Sequence, residues 1–351
     1  MTTPSTGRRR AASRAALALA ALATGAAVLP VPAAHAQAKA GRNGAKFLDI
    51  GVGAREIALG SASTTLTGDA NQVFWNPAGS VLADDQKISA SFFYGDWFAG
   101  LQHSAAAVGY NLGAAGTVTL GVQTFGVSDI PANRQNGFQD PFLAALETDK
   151  NTGETYNYLD VGASLTYSRQ ITDRLALGAT AKYIGETIDG VSANAVAFDF
   201  GSVYDMGMAG WKLGARLSHL GTDMSFYNQD NPLPLTFSIG TSFYPVNTNA
   251  ARLMVTTDLS KPQDANQRVN VGGEASFYDL LFLRGGYKLN YSGQRDEGTS
   301  LRPRIENTLE GASLGGGVQY RVSGYDLALD YAYTQMELVD NTHRFTLRIR
   351  R

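Results

Sequence analysis

The chain contains no cysteine. That excludes a lipoprotein anchor, a disulfide framework, and thiolate nucleophiles or metal ligands, and it suits an exported protein that folds without oxidation. Charge is also scarce: 17% of residues are Asp, Glu, Lys or Arg, with a formal net charge of -2. Nothing in that balance invites nucleic acid. Past residue 36 no apolar run reaches the roughly 18 residues a spanning helix needs, and a mean hydropathy of -0.14 is far below that of a helical membrane protein. Histidine is rare there as well. His103, His219 and His343 stand alone, none at zinc-ligand spacing. What the chain has instead is 39 glycines, 16 tyrosines and 16 phenylalanines, an unusual mixture for a soluble domain with so few charges.

The first residues read as an address. Arg8, Arg9, Arg10 and Arg14 precede an Ala/Leu stretch from Ala15 to about Leu29, and Ala34-His35-Ala36 is a small-x-small site. This pattern predicts a signal peptide over 1–36, cleaved near Ala36. The paired arginines also raise twin-arginine export, although the rest of that motif is missing. The mature chain then divides into 37–85, a segment of mixed character, and 86–351.

From Gln86 onward period-two alternation dominates. Tyr325, Leu327, Leu329, Tyr331 and Tyr333 alternate with Asp326, Ala328, Asp330, Ala332 and Thr334; Trp211, Leu213, Ala215 and Leu217 alternate with Lys212, Gly214, Arg216 and Ser218. Such segments are half-buried strands. About fourteen can be placed, near 86–96, 101–111, 115–127, 156–170, 174–187, 193–206, 210–220, 233–245, 250–260, 266–278, 280–290, 309–322, 324–336 and 341–350. Each meets the roughly 9–11 residues a tilted strand needs to cross a bilayer. Links after even-numbered strands are short, while 128–155, 221–232 and 291–308 are long, as when short turns face the periplasm and long loops face outward. The predicted fold is therefore all-β: a transmembrane antiparallel barrel in the outer membrane, surrounded by its lipid. A soluble propeller or double sandwich also gives many alternating strands, but those strands are usually shorter.

Segment 37–85 carries Gly51-Val52-Gly53-Ala54-Arg55-Glu56-Ile57-Ala58-Leu59-Gly60, then Asp69-Ala70, then Trp75-Asn76-Pro77-Ala78-Gly79. Its small residues permit close backbone approach, and Pro77 with Gly79 marks a turn. Such a segment predicts a plug inside the lumen, which a barrel of this size must fill or leave as a channel. The motif, over roughly 48–82, resembles the PorV/PorQ family, itself similar to the FadL-type long-chain fatty-acid transporters. The resemblance implies a fourteen-stranded barrel with an N-terminal hatch, with Asn76-Pro77-Ala78 at the shared hatch position. It also implies, for PorV itself, work in type IX secretion: receiving cargo by its C-terminal signal domain and presenting it to a surface sortase. The chain departs from common barrels in ending Arg348-Ile349-Arg350-Arg351, with Phe345 the nearest aromatic residue.

Catalytic and metal patterns are thin. Gly311-Ala312-Ser313-Leu314-Gly315 fits the G-x-S-x-G elbow and is followed by Asp326, Asp330 and His343, but strand alternation continues through Val318 and Tyr320 where an elbow needs a helix. Asp129, Asp140, Glu147, Asp149 and Glu154 lack the spacing of a calcium loop and read as solvated. Lys182, Lys212, Arg216, Arg268, Arg284, Lys288 and Arg321 are expected in the lumen, either favouring anions or a carboxylate or, as is commoner, paired with carboxylates such as Glu186, Glu274 and Asp330. No catalytic residue, cofactor or metal is expected. The expected function is binding of partners, either secretion-system subunits or cargo C-terminal domains, with Phe138, Phe142, Phe226 and Tyr227 as contacts or as a lid over the mouth. The rival is transport of a hydrophobic ligand by hatch movement, with Gly201 or Gly272-Gly273 as a kink or bulge in the wall.

Overall fold

Alternating side chains commit each strand to two unlike faces, and closing the sheet is the only arrangement that satisfies both faces and leaves no open edge. The computed structural model describes residues 43–133, 151–265, 267–290, 310–336 and 339–351. The expected signal peptide, Phe138, Phe142, Asp140, Glu147 and Asp149 lie outside the described residues. The strands are β1 (Ile88–Asp96), β2 (Gln102–Asn111), β3 (Thr117–Asn133), β4 (Asn151–Thr172), β5 (Leu175–Ile188), β6 (Val191–Asp205), β7 (Lys212–Gly221), β8 (Met224–Phe226) and β9 (Gln229–Asn231). They continue as β10 (Thr236–Asn247), β11 (Ala251–Pro262), β12 (Arg268–Phe277), β13 (Leu281–Asn290), β14 (Glu310–Val322), β15 (Tyr325–Met336) and β16 (Thr342–Arg350).

Fourteen of these close into an antiparallel barrel in chain order, with β1 pairing β16 across the seam. The other two, β8 and β9, form a small hairpin in the long link between β7 and β10. Every expected strand corresponds to one barrel strand. The main departure is at β3 and β4, which keep pairing past Val127 through two register shifts and so shorten the loop expected at 128–155. Phe345 lies within the closing strand β16, on its outward face.

The outward face presents Leu120, Val122, Leu165, Tyr167, Tyr183, Leu314 and Leu329, all exposed, while the neighbouring Thr119, Thr166, Thr180, Ser313 and Asp330 are buried inside. An apolar belt of this extent is a lipid-facing surface, because water would penalise so much contiguous hydrocarbon. No helix among the described residues is long and apolar enough to cross a membrane, and the strands do the crossing.

Residues 43–85 occupy the interior. They form short 3-10 turns at Lys46–Asp49, Ala70–Phe74 and Pro77–Ser80 and one short helix, α1 (Ala54–Ala58). α1 packs on β13 to β16, the Ala70–Phe74 turn on β1 to β4, and the Pro77–Ser80 turn on β3 to β6. The wall accommodates them with glycine. A Cβ on Gly286 would collide with the backbone of Leu59 and Gly60, and one on Gly178 would collide with Pro77. Gly201 and Gly272 play the same part, facing Asn76 and Leu59. Gly272 and Gly273 keep regular pairing on both sides and make no kink or bulge, whereas Gly201 directly follows a register shift between β6 and β7 at Phe198/Phe200. Glycine is used here because the luminal backbone passes where a side chain would stand.

Candidate functional site

The lumen divides into two halves of different chemistry. In the half nearer the short turns, six charges alternate in a chain. Arg55 on α1 donates to both oxygens of Glu274 on β12, each at 2.8 Å. Glu274 also accepts from Arg284 on β13 at 2.6 Å. Arg284 reaches Asp330 on β15 at 2.6 Å. Arg348 on β16 donates to that same Asp330 at 2.7 Å and to Asp69 at 3.0 Å. The chain thus starts and ends on the luminal segment and passes through four strands of the wall. All six side chains are buried or nearly so, and alternation leaves each charge an opposite neighbour, the condition under which buried ions are tolerated.

The motif residues run from this chain across the lumen to the wall at β3 to β6. Gly53, with φ of 98°, caps the start of α1 in a conformation that favours glycine. The Ala54 amide donates to Thr346 Oγ1 at 2.8 Å. Gly51 lies where a Cβ would stand 3.0 Å from the Trp75 ring, and Trp75 Nε1 donates to the Val52 carbonyl at 2.7 Å. Asp69 caps the next turn by accepting from the Asn71 amide, and the Ala70 amide donates to Ser89 Oγ. Asn76 donates to the Thr64 carbonyl at 2.6 Å and to the Ser202 carbonyl at 3.2 Å, and its Oδ1 accepts from the Ala78 amide. Pro77 opens the last turn, where its missing N–H costs nothing. Ala78 packs on Ala176 and Val203, and Gly79 is needed because a Cβ would strike the Leu66 carbonyl. Asp258 on β11 adds a further fastening by accepting from the amides of Ser63 and Thr64, each at 2.9 Å, and from Thr64 Oγ1.

Glu56 stands apart. It lies on α1, within the lumen rather than in a spanning strand, and its carboxylate accepts from the side-chain amide of Gln72 at 3.0 Å. Burial, with Asp69 adding to it, pushes its carboxyl up to about 7 against the opposing pull of Arg55 and Arg348.

The half nearer the long loops combines buried ion pairs, Lys182 with Asp199 and both Lys288 and Arg344 with Glu310, with an apolar cup. Phe125 of β3, Ile184 of β5 and Ala193, Ala195 and Ala197 of β6 form a cup. Phe47 of the luminal segment fills it, 2% exposed, with Met224 and Leu233 from the β7–β10 link. Beside the cup an edge-to-face aromatic series crosses four strands: Phe93 to His103 at 5.2 Å, His103 to Phe125 at 5.8 Å, and Phe125 to Tyr158 at 6.3 Å between ring centroids. Such geometry suits aromatic quadrupoles.

Of the expected contact residues, Phe226 packs onto this cup from outside, while Tyr227 at the hairpin tip is 85% exposed. The two neighbours therefore differ in burial, one packed and one exposed. Lys182 pairs with Asp199 at 2.5 Å rather than with Glu186, because Asp199 on the adjacent β6 faces it inside the wall. Arg321 pairs with Asp326 at the rim and is largely exposed rather than luminal. Ser313 sits within β14 bonded to Thr334, while His343 bonds Tyr331 on the outward face, so the elbow pattern brings no triad together. Among the described residues no cluster of three His, Asp or Glu is arranged to hold a metal. Sequence reasoning read Arg348 only as part of the chain end and passed over Arg344, although their alternation with Phe345 and Leu347 was a usable signal for luminal groups.

Fold and lumen together define a closed outer-membrane-type barrel filled by its own N-terminal segment. No protein-family profile and no curated protein matches the sequence. Among solved structures, the Pseudomonas putida toluene transporter TodX is 12% identical, with a TM-score of 0.54 over 86% of this chain and 97% of that one. The Ralstonia pickettii toluene transporter TbuX is also 12% identical, with a TM-score of 0.52 and the same coverage. A TodX deltaS2S3 mutant, described as a monoaromatic hydrocarbon channel, has a TM-score of 0.56 at 12% identity and covers the same shares. At this identity the likeness is one of fold alone. It lends nothing to the secretion half of the sequence resemblance.

Proposed function

We propose that the protein conducts small hydrophobic molecules across the outer membrane of a Gram-negative-type bacterium, after removal of residues 1–36, with segment 37–85 as its hatch. The observation that carries this is the apolar cup at the long-loop end, filled by the chain's own Phe47. A phenylalanine held there by contact alone stands in for a ligand, since an apolar molecule of similar size gains the same burial. The barrel likeness to toluene transporters supports the same reading. The site performs no chemistry; it exchanges one apolar occupant for another and lets the segment above α1 give way.

The test is uptake of toluene by cells making the protein, beside saturable binding of toluene to the purified barrel. Both are expected, and Ala195→Trp, which fills the cup, should abolish both. Unchanged uptake together with no saturable binding would overturn the proposal. A second reading, recognition of secretion subunits or cargo domains, is favoured by one feature, the exposed Tyr227 at the hairpin tip. Co-purification of surface proteins sharing a C-terminal domain, lost in Tyr227→Ser, would move the function to partner binding.

A further inference from the structure

At the short-turn end of the barrel lies a cavity of about 500 Å3 whose chemistry the apolar cup does not explain. Six arginines line it, Arg55, Arg252, Arg284, Arg321, Arg348 and Arg350, against three carboxylates, Glu274, Asp279 and Asp326. Most of this charge is accounted for. Arg252 pairs with Asp279 and Arg321 with Asp326 at the rim, and the alternating chain occupies Arg55, Arg284 and Arg348. Two sets of donors remain, on Arg350 and on the far edge of Arg284. Arg350 bonds only the side-chain oxygen of Gln319, at 2.8 Å, and has no carboxylate partner among the described residues. The Arg284 side chain is 0% exposed, yet its Nη2 has no hydrogen-bond partner. Buried polar nitrogens are rarely left so.

The remaining lining includes Tyr244, Leu280 and Phe282, which give the cavity flat apolar walls. We propose that this chamber binds a small organic anion, a carboxylate carried on a flat apolar body. Arg350 and the free edge of Arg284 hold the oxyanion, and the aromatic side chains cover the rest. The planar fork of a guanidinium matches a carboxylate in two-point geometry, and the volume is that of a small-molecule site. The chamber lies at the opposite end of the lumen from the apolar cup, so it takes a ligand class different from the one proposed for transport.

The experiment is calorimetric titration of the full-length protein in detergent with benzoate and, as the neutral counterpart, benzyl alcohol. Saturable benzoate binding is expected, weakened at least tenfold by Arg350→Gln, with no measurable binding of benzyl alcohol at this end. Arg252→Gln, at the exposed rim, should weaken benzoate about threefold and serves if Arg350→Gln does not fold. Three results would overturn the proposal: no saturable benzoate binding, benzyl alcohol binding as tightly in competition with benzoate, or the same benzoate affinity in the wild type and both variants. Toluene binding at the cup is untouched by either substitution, so failure here leaves the transport reading where it stood.

Discussion

The two ends of the luminal segment are held by different forces. Near the long loops the Phe47 side chain is kept by apolar contact with Phe125, Ile184 and the alanines of β6, and the directed bonds beside it are few, among them the half-exposed Lys46 to Asp264 and the Gly44 amide to the Pro232 carbonyl. Near the short turns Arg55, Asp69, Thr64 and Asn76 are kept by ion pairs and hydrogen bonds to named atoms of the wall, with backbone seated against glycine. Apolar contact is non-directional, so any molecule of suitable size substitutes for it. Directed bonds have no such substitute, and removing one partner strands the other in a low-dielectric interior. A segment built this way has one end that a ligand can displace and one end that stays anchored.

The largest effect expected is at the anchored end. Gly286→Val places a side chain where the Leu59–Gly60 backbone runs, so the segment cannot seat, and planar-bilayer recordings should show a large, sustained conductance absent from the wild type. Phe47→Ala comes next, with a loss of about 3 kcal/mol in urea unfolding from the emptied cup. The comparison is sharpened by rescue: saturating toluene should restore much of that loss, as apolar cavities accept apolar ligands. Arg55→Ala should cost a similar amount, about 3 kcal/mol, by breaking a buried pair, and no apolar ligand should restore it. If toluene rescues Arg55→Ala as well as Phe47→Ala, the division into a displaceable and an anchored end is wrong.

Smaller effects follow. Asn76→Ala removes the bonds to Thr64 and Ser202 and should cost roughly 1–2 kcal/mol by the same unfolding measurement. Glu56 makes the anchored end sensitive to pH. Its carboxyl is held at about 7 in the folded protein, above the ordinary value of 4.5, so the folded state favours the protonated form. Its penalty is absent below pH 4.5, grows as pH rises, and is complete above about 7. The thermal midpoint should therefore fall between pH 5 and pH 8, and Glu56→Gln should flatten that fall while raising the midpoint at pH 8. A slope unchanged in Glu56→Gln would assign the pH dependence to other groups.

Much of the barrel was legible because strand alternation is a local signal. Tyr325 to Thr334 reads as β15 without any partner, and Trp211 to Ser218 reads as β7, because each residue's face is set by its parity in the strand. The motif residues from Gly51 to Gly79 were legible as a packed luminal element, for small residues and a Pro-Gly turn announce close backbone approach. The partners of those residues were not. Arg55 lies 219 positions from Glu274 and Asp69 lies 279 from Arg348, and nothing local distinguishes these carboxylates and arginines from others facing the lumen. The apolar cup was illegible for the same reason: Ala193, Ala195 and Ala197 look like weak strand residues until Phe47 fills the space they leave.

The sequence by itself determined which segments form the barrel strands, how many strands the barrel has, and which side chains face lipid, because those depend on periodicity and on the length needed to cross a bilayer. Only the tertiary structure decided which wall glycines seat the luminal backbone, which charges share a bond, and which end of the segment is held by replaceable contact. Barrel closure brings together residues hundreds of positions apart, and their chemistry becomes specific only once register and shape have set the distances between them.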